Sequence, residues 1–335
     1  MVSISGKTDK NGGKSEMDFE RLKFIAAHPL KVYDQHRVKE IRRFRKFGKN
    51  PDTVYYVIRC DLEGCGLFAI FMYILDHIAY ATDRGYVPVL DSKRYHWLYQ
   101  EKEKVNGTKD PWKYYFQPIS KNWVSTFIDK NVIYGAVKFP RYKGIYYYRD
   151  KEKNILPDKE QICYLHGLTE QYIRFVPAIF DELEEGAKTL GKFKRVLGIH
   201  VRGTDMNIAG RQHPIPTKET KNFDRVDAIL ENHELDGIFL CTDEEEIVDI
   251  FQEYYGDKVL VTDAVRQKKD RHIGVHMDKN LGENRVHHQY LLGKEVLKDM
   301  YLLSKCNVLL CGASNVAYAA IIYNNNQYDE IYYCV

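Results

Sequence analysis

A cluster of His, Arg and Asp follows a β-rich run in the second half of the chain. The run VLGIHV (196–201) predicts a buried strand, and His200, Arg202 and Asp205 lie at or just beyond its carboxyl end. In open parallel sheets, ligands bind at the carboxyl ends of the strands. An arginine there offers a planar, permanently charged fork to a phosphate, and Asp205 can position that arginine or accept a proton. The alternative is a structural Arg–Asp pair.

The next β-rich run also ends on polar residues. GIFLCT (237–242) predicts a strand that closes with Thr242 and continues into Asp243. Either side chain can cap the helix that follows, and Asp243 can also meet a ribose hydroxyl. Both interpretations stay open.

A third strand end combines small residues with the start of a helix. NVLLCG (307–312) predicts the strand, and the helix begins near Ser314, Asn315 and Val316. Free amides at a helix N-terminus, preceded by small residues, form a cradle for an anion. Ser314 can instead act only as the N-cap of the helix.

A glycine turn in the first half suggests a different chemistry. The sequence GCGLFA (64–69) matches GxGxxA, and Asp91 closes the next predicted strand, where a ribose-binding acid would lie in a dinucleotide site. A polar insert, 61–63, separates the preceding strand from these glycines, unlike the tight turn of that fingerprint. An NAD(P)-dependent oxidoreductase is therefore kept as an alternative, and so is a turn whose glycines serve backbone geometry alone.

The elements that position these residues alternate between strands and helices. In the first half, a strand over 54–60, a helix through Ala81 and a strand over 86–90 form a βαβ unit. Two further helices are predicted before residue 191, over 19–50 and 168–190. In the second half, helices are predicted over 218–233, 244–255, 291–305 and from Ser314, and additional strands over 258–263 and 330–335. This alternation predicts parallel sheets covered on both faces, in two Rossmann-like domains that face a cleft.

Length and composition narrow the possibilities. The chain has 335 residues, 44% hydrophobic and 29% charged, which excludes wholesale disorder. We divide it into an N-terminal extension (1–50), partly disordered and then a basic helix, an α/β domain (51–190) and a C-terminal Rossmann-like domain (191–335). The three polar or glycine-containing strand ends of the last domain together suggest a sugar-nucleotide site.

Charge and cysteine usage exclude several functional classes. Fifty basic residues nearly balance 47 acidic ones, so nucleic acid is not the expected partner. The seven cysteines include no CxxC pair, and we predict reduced thiols and no metal site. No apolar run approaches the ~20 residues of a membrane helix, and the first residues lack a signal sequence, so a cytoplasmic location is expected. The basic run at 42–46 is interpreted as a solvated helix face, with peripheral membrane contact left open.

The aromatic content is high. Tyrosine occurs 26 times, which fits either a sugar-binding cleft or a compositional bias of the surface. Residues 92–190 are the least regular part of the chain. Trp97 and Trp112 in this region can stack on sugar rings or belong to the core.

Several blocks, taken in order, resemble the α-1,6-fucosyltransferase family, which includes the core N-glycan enzyme and the rhizobial nodulation enzymes. The blocks are HVRGTD with His213-Pro214-Ile215, then FLCTDEE, then VLKDMYLLSKCNVLLCGASN, together with GCG (64–66), Pro111-Trp112 and Phe116-Gln117-Pro118. They extend over roughly residues 54–335 with large insertions and deletions. The ordered set is fairly specific, whereas no single block is.

The resemblance implies a GT-B-like fold, GDP-fucose as the donor, and inversion at the anomeric carbon without a metal or other cofactor. It makes 51–190 the acceptor-side domain, with acceptor selection expected in 92–190, and 191–335 the domain that binds the GDP-sugar. It also assigns roles to residues of this chain. Arg202 would hold the β-phosphate, His200 and Asp299 would lie at the guanine, Thr242 and Asp243 near the ribose, and Ser314, Asn315 and Val316 along the diphosphate, opposite Gly66 and Leu67.

The sequence also departs from the family pattern. Where the core N-glycan enzymes have a second arginine, this chain has Gly203, and Met206 replaces their lysine. The family's catalytic Glu aligns near Gly210, so the general base does not transfer; Asp205 is our first candidate and Glu219 the weaker one. A route with little base assistance also stays open. The alternatives for function are another GDP-sugar as donor, an NAD(P)-dependent oxidoreductase, and a binder of sugar nucleotides without catalysis.

Overall fold

Two sheets, each flanked by helices, form the framework of the molecule. A computed structural model describes residues 40–60, 62, 64–93, 96–120, 128–136, 159–202, 222–268, 274–275, 278–282, 285–312 and 314–333. Within these residues both sheets contain parallel strand pairs, as the alternating sequence pattern predicts. The mixed α/β class is therefore confirmed.

The first sheet has four strands. These are β1 (Ile41–Phe44), β2 (Lys49–Arg59), β3 (Val87–Asp91) and β4 (Asp129–Tyr134), in the order β1-β4-β2-β3. Strand β1 pairs with β4 antiparallel, and the other pairs are parallel. Helix α1 (Leu67–Thr82) connects β2 to β3, which confirms the predicted βαβ unit.

The second sheet has five strands, all parallel. They are β5 (Val196–Val201), β6 (Gly237–Thr242), β7 (Val259–Leu260), β8 (Val308–Cys311) and β9 (Glu330–Tyr333), in the order β7-β6-β5-β8-β9. The remaining helices are α2 (Lys159–Tyr172), α3 (Pro177–Ala187), α4 (Phe223–Asn232), α5 (Glu245–Tyr255), α6 (His288–Ser304) and α7 (Asn315–Asn324).

A continuous apolar core joins the two sheets. Helix α1 buries 13 of its 16 residues and packs against α2 and α7 as well as against β3. Such burial on all sides is typical of a helix enclosed by other elements. One apolar cluster contains Ile58 of β2, Phe71 of α1, Leu303 of α6 and Ile321 of α7. Burial of these side chains holds the halves together, since removing apolar surface from water is the main favourable term in folding.

Some predicted boundaries are wrong. The helix predicted over 19–50 is a strand at Ile41–Phe44, and β2 begins at Lys49; residues 19–39 lie outside the described part. Pairing with β4 decides this, a tertiary contact that local sequence does not reveal. The single helix predicted over 168–190 is two helices, because Pro177 at the start of α3 disfavours helical backbone at Val176. The strand predicted over 258–263 pairs only at Val259–Leu260.

Candidate functional site

A cavity of about 310 Å³ lies where the two halves meet. It is lined from the second half by the ends of β5 and β6, by α6 and by the start of α7, and from the first half by the glycine turn and Tyr99. All ten residues that the sequence places at the donor line it: Gly66, Leu67, His200, Arg202, Thr242, Asp243, Asp299, Ser314, Asn315 and Val316. Asp205 and Glu219 lie outside the described residues.

Strand register explains why distant parts of the sequence meet here. His200 on β5 aligns with Cys241 on β6 and with Cys311 on β8, and Val201 aligns with Thr242. Because these strands are parallel, their carboxyl ends form one edge. The polar residues that follow each strand are therefore brought to the same side of the sheet.

The environment of His200 keeps its imidazole neutral at pH 7. The side chain is 6% exposed. Burial, followed by the positive charge of Arg202, lowers the pKa of His200 to about 4. A neutral imidazole has one N–H donor and one acceptor nitrogen. Its Nδ1 lies 3.4 Å from the Ser314 hydroxyl, and the ring can therefore fix a neutral group of a ligand by a directed hydrogen bond.

Ser314 is the N-cap of α7. Its Oγ accepts a hydrogen bond from the amide of Ala317 at 3.0 Å, so the capping interpretation is correct. The same residue lines the cavity with Asn315 and Val316, the first two residues of the helix. The positive end of the α7 dipole thus faces the cavity, where it favours a negatively charged group.

Thr242 likewise has a local structural role at the cavity wall. Its Oγ1 accepts from the amide of Glu244 at 3.3 Å, and the side chain is buried. The first amide of α5, that of Glu245, donates to the backbone carbonyl of Gln267, and Gln267 donates back to the carbonyl of Asp243. This loop fixes the end of β6 and with it the position of Asp243.

Asp299 is a buried carboxyl group on the face of α6 that lines the cavity. Thr262 donates to its Oδ1 at 2.5 Å. Burial raises the pKa of Asp299 to about 6, although the Thr262 hydrogen bond and the charge of Arg266 oppose that rise. Asp299 therefore changes charge close to neutral pH. Sequence reasoning missed Thr262, which lies beyond the short strand β7.

Glu295 is a second acid on the same helix face that sequence reasoning missed. It lies one turn before Asp299 and lines the cavity. Arg285 pairs with both of its carboxylate oxygens, with Nη1 3.2 Å from Oε2. The i, i+4 spacing of the two acids was the available signal, since such residues share a helix face.

The wall from the first half consists of the glycine turn, the start of α1 and one tyrosine. Gly66 is the N-cap of α1, and the amide of Leu67 donates to the hydroxyl of Tyr99 at 2.9 Å. Burial raises the pKa of Tyr99 to about 12, while the nearby charge of Arg202 lowers it. Tyr99, also missed from the sequence, therefore fixes the start of α1 beside the arginine of the opposite wall.

A tyrosine contact holds α6 against the first half. The Tyr115 hydroxyl donates to the carbonyl of Tyr290 at 2.8 Å, and the two rings stack with centroids 5.6 Å apart. The approach is close because residue 293 is glycine: a Cβ there would lie 2.1 Å from the Tyr115 oxygen. The amide of Tyr290 also donates to Glu101 at 2.9 Å. These contacts set the position of Glu295 and Asp299 relative to the opposite wall.

For two tryptophans the structure decides between sugar stacking and a place in the core. Trp97 and Trp112 are 1% and 2% exposed and donate to the carbonyls of Cys60 and Gln117, so both belong to the core. Ten tyrosines of the described residues are also buried: Tyr55, Tyr56, Tyr73, Tyr99, Tyr114, Tyr115, Tyr134, Tyr301, Tyr318 and Tyr328. Much of the tyrosine surplus therefore builds the interior.

The glycine turn lines the cavity without the acid that a dinucleotide site needs. Asp91, at the end of β3, is not among the cavity-lining residues, whereas Gly64 and Gly66 are. In a dinucleotide site the corresponding acid binds the ribose of the molecule whose pyrophosphate lies on the glycines. The pairing that motivated an oxidoreductase is therefore not assembled here.

No family model and no curated protein matches this chain. Among solved structures, it is similar to NodZ alpha-1,6-fucosyltransferase soaked with GDP-fucose, at 15% identity and a TM-score of 0.45, over 81% of this chain and 93% of that one. The fucosyltransferase NodZ from Bradyrhizobium aligns at 16% identity and 0.43, over 80% and 92%. POFUT1 in complex with GDP aligns at 10% identity and 0.46, over 84% and 98%. At such values, function must be argued from the cavity itself.

In the part of the chain that the structure describes, no helix is long and apolar enough to cross a membrane. The same residues contain no group of three or more His, Cys, Asp or Glu side chains arranged to hold a metal ion.

Proposed function

We propose that this protein is a glycosyltransferase that moves fucose from GDP-fucose to a sugar hydroxyl of a glycan acceptor. One observation carries the proposal. The ten donor-site residues implied by the family resemblance come from separate stretches of sequence and line one cavity. Parallel pairing brings the strand ends of the second half to one edge, and the same cavity is also lined by Asp299 on α6 and by Gly66 and Leu67 of the first half.

The chemistry of the cavity suits a nucleoside diphosphate. At one end, Arg202 and the N-terminus of α7 supply positive charge for phosphate oxygens. On α6, the carboxyl groups of Glu295 and Asp299 can accept hydrogen bonds from the N–H groups of a guanine edge. The volume of about 310 Å³ falls at the lower end of the range for small-molecule sites, ~300–1,000 Å³.

The transfer forms a bond between the acceptor oxygen and the anomeric carbon of fucose. The bond from that carbon to the β-phosphate oxygen breaks, and GDP leaves with the electron pair and an added negative charge. Arg202 and the α7 amides stabilise that charge more in the transition state than in the ground state. This charge stabilisation needs no metal ion, and we propose an inverting, metal-independent reaction.

The acceptor hydroxyl must lose its proton during transfer. We assign Asp205 as the base on the sequence evidence, with Glu219 as the weaker candidate. If the fucosyl cation develops early, little base assistance is needed and the proton leaves late. We further propose an α-1,6 linkage to an N-acetylglucosamine-containing glycan, which the family resemblance alone supports.

A transfer assay tests the function. Protein is incubated with GDP-fucose and a glycan panel, and mass spectrometry reads the gain of one deoxyhexose. Arg202→Ala should slow transfer by about 10²–10³-fold with the fold retained, whereas Arg174→Ala, at an exposed position outside the cavity lining, should transfer normally. No transfer and no hydrolysis of the donor by the native protein would reject the proposal.

Competition by thermal shift distinguishes the alternatives. Stabilisation by GDP-fucose and GDP above other sugar nucleotides supports the proposal, since ligands that bind the native state raise its melting temperature. Stronger stabilisation by another GDP-sugar would indicate that this sugar nucleotide is the donor. Stabilisation by NAD(P) would support the oxidoreductase hypothesis. Binding of GDP without turnover would indicate a non-catalytic binder of sugar nucleotides.

A further inference from the structure

A second surface of interest lies at the edge of the first sheet, away from the cavity residues. Strand β1 is an edge strand, paired only with β4 in the described sheet. Ile41 is half-buried, whereas Arg42, Arg43 and Phe44 are exposed. None of these residues lines the cavity. We call the residues 41–49 with Ile128 and Lys130 the β1 edge surface.

Basic residues are dense on this surface. Residues 40–50 contain five cations against one acid, a formal charge of +4, which exceeds the +3 of the whole chain. The acid, Glu40, is occupied: it pairs with Arg42 and accepts from Tyr80, each at 2.8 Å. This edge of a nearly neutral protein is therefore basic, and a basic surface attracts an anionic partner locally.

Apolar side chains project from the same edge. Phe44, Phe47 and Ile128 are 57%, 78% and 47% exposed, and they make up half of the six large apolar side chains that are exposed among the described residues. Scattered exposed apolar residues need no explanation, but a group of them framed by cations does. Such aromatic and basic residues together are typical of the interface between water and lipid headgroups.

Backbone hydrogen bonds fix the position of the segment that carries Phe44 and Phe47. The amide of Arg45 donates to the carbonyl of Lys130 at 3.0 Å, and that of Lys49 donates to the carbonyl of Ile128 at 2.9 Å. Gly48 allows this approach, since a Cβ there would lie 2.8 Å from the Lys130 Cα. The loop that carries Phe47 therefore lies directly on the start of β4, beside Ile128.

We propose that the β1 edge surface docks the protein onto a membrane that contains anionic phospholipids. The guanidinium and ammonium groups bind headgroup phosphates, while Phe44 and Phe47 enter the headgroup region. Charge decides between this occupant and a second copy of the chain, because pairing two β1 edges would bring two basic strands together. The contact is peripheral, and it does not depend on which reaction the cavity performs.

Vesicle cosedimentation tests the docking. The full chain is mixed with phosphatidylcholine vesicles that contain about one third phosphatidylserine, and with pure phosphatidylcholine vesicles. We expect binding to the anionic vesicles only, and a loss of that binding as salt is raised, because salt screens the attraction. Absence of binding at low salt would overturn the proposal, as would equal binding to both vesicle types.

Matched variants locate the surface. Lys46→Glu/Lys49→Glu should weaken binding by at least about tenfold, and Phe47→Ser by about threefold to tenfold with its salt dependence kept. The controls make the same changes at exposed positions elsewhere: Lys194→Glu/Lys258→Glu and Phe180→Ser. Equal losses of vesicle binding in variants and controls would overturn the proposal. The cations and apolar side chains of the β1 edge surface would then contribute no more to binding than those elsewhere on the protein.

Two further readouts identify other occupants. Sedimentation velocity that showed a dimer broken by Phe47→Ser would assign the edge to a second copy of the chain. Binding of single-stranded RNA with an affinity above that for the anionic vesicles, lost in Lys46→Glu/Lys49→Glu, would assign it to nucleic acid. Either result would replace the membrane proposal. Circular dichroism of every variant checks that the fold is retained.

Discussion

The two walls of the cavity are built in different ways. The second half contributes ionisable side chains, among them Arg202, Asp243 and Asp299, at strand ends and on one helix face. The first half contributes a glycine turn, the start of α1 and Tyr99, whose hydroxyl accepts from the Leu67 amide. One wall therefore acts through charge and the other through backbone position. Substitutions should affect affinity and rate most on the charged wall, and shape or stability most on the other.

The largest effect is expected at Arg202. Replacement by alanine removes the only permanently charged side chain that lines the cavity among the described residues. We expect kcat/KM for GDP-fucose to fall by about 10²–10³-fold, as when a group that stabilises developing charge is lost. Arg202→Lys keeps the charge without the planar fork, and its kcat/KM should lie between those of the native protein and Arg202→Ala. Native-like kinetics of the alanine variant would contradict the charged-wall interpretation.

The contact that joins the walls should give the next effect. In Gly293→Ala the added methyl would lie 2.1 Å from the buried Tyr115 oxygen, so the walls must move apart. We expect the free energy of unfolding to fall by about 1–3 kcal/mol, measured by urea denaturation. Gly167→Ala on α2 is the matched control, because nothing lies within 4 Å of the methyl that it would add; it should gain about 0.5–1 kcal/mol. Equal behaviour of the two variants would show that the contact does not constrain α6.

Asp299 gives the charged wall a pH dependence. Its pKa of about 6 means that the carboxylate proposed to accept guanine N–H groups is largely protonated at pH 5. Calorimetry should therefore find GDP binding about tenfold tighter at pH 7 than at pH 5 from this group alone. Asp299→Asn isolates that contribution, since the phosphates of GDP titrate equally with both proteins. If the variant kept the pH dependence of the native protein, Asp299 would not bind the guanine base.

The same carboxyl group has the opposite effect on the ligand-free protein. A pKa raised above its usual value means that the buried carboxyl favours its protonated form. Its ionisation therefore costs stability as the pH rises from about 4 through 6. Affinity for GDP should thus increase over a range in which this group makes the free protein less stable.

The smallest effect is expected on the backbone wall. Tyr99→Phe removes the hydroxyl that accepts from the Leu67 amide, and should lower stability by about 1 kcal/mol, read as a lower melting temperature. Affinity for GDP should change by less than about threefold, because the variant removes no charge from the cavity. A loss comparable to that of Arg202→Ala would show that the two walls do not differ as described.

Much of this site could be predicted from the sequence because its signals are local. Each of the strands β5, β6 and β8 is an apolar run followed by polar or small residues, and parallel pairing brings such ends to one edge. Thr262, Glu295 and Tyr99 could not be found in this way. Thr262 and Tyr99 reach the site through tertiary contacts with Asp299 and Leu67. For Glu295 the one local signal is its i, i+4 spacing from Asp299.

By itself, the sequence determined the alternation of strands and helices and the ligand-binding residue types at the strand ends. Apolar periodicity and turn residues act over a few positions, so both can be recognised locally. Only the tertiary structure decided that 41–44 is a strand and that Trp97 and Trp112 are interior. Only the fold, likewise, left Asp91 outside the cavity while the glycine turn lines it. The physical reason is that pairing and burial depend on partners far along the chain, whose positions no local pattern specifies.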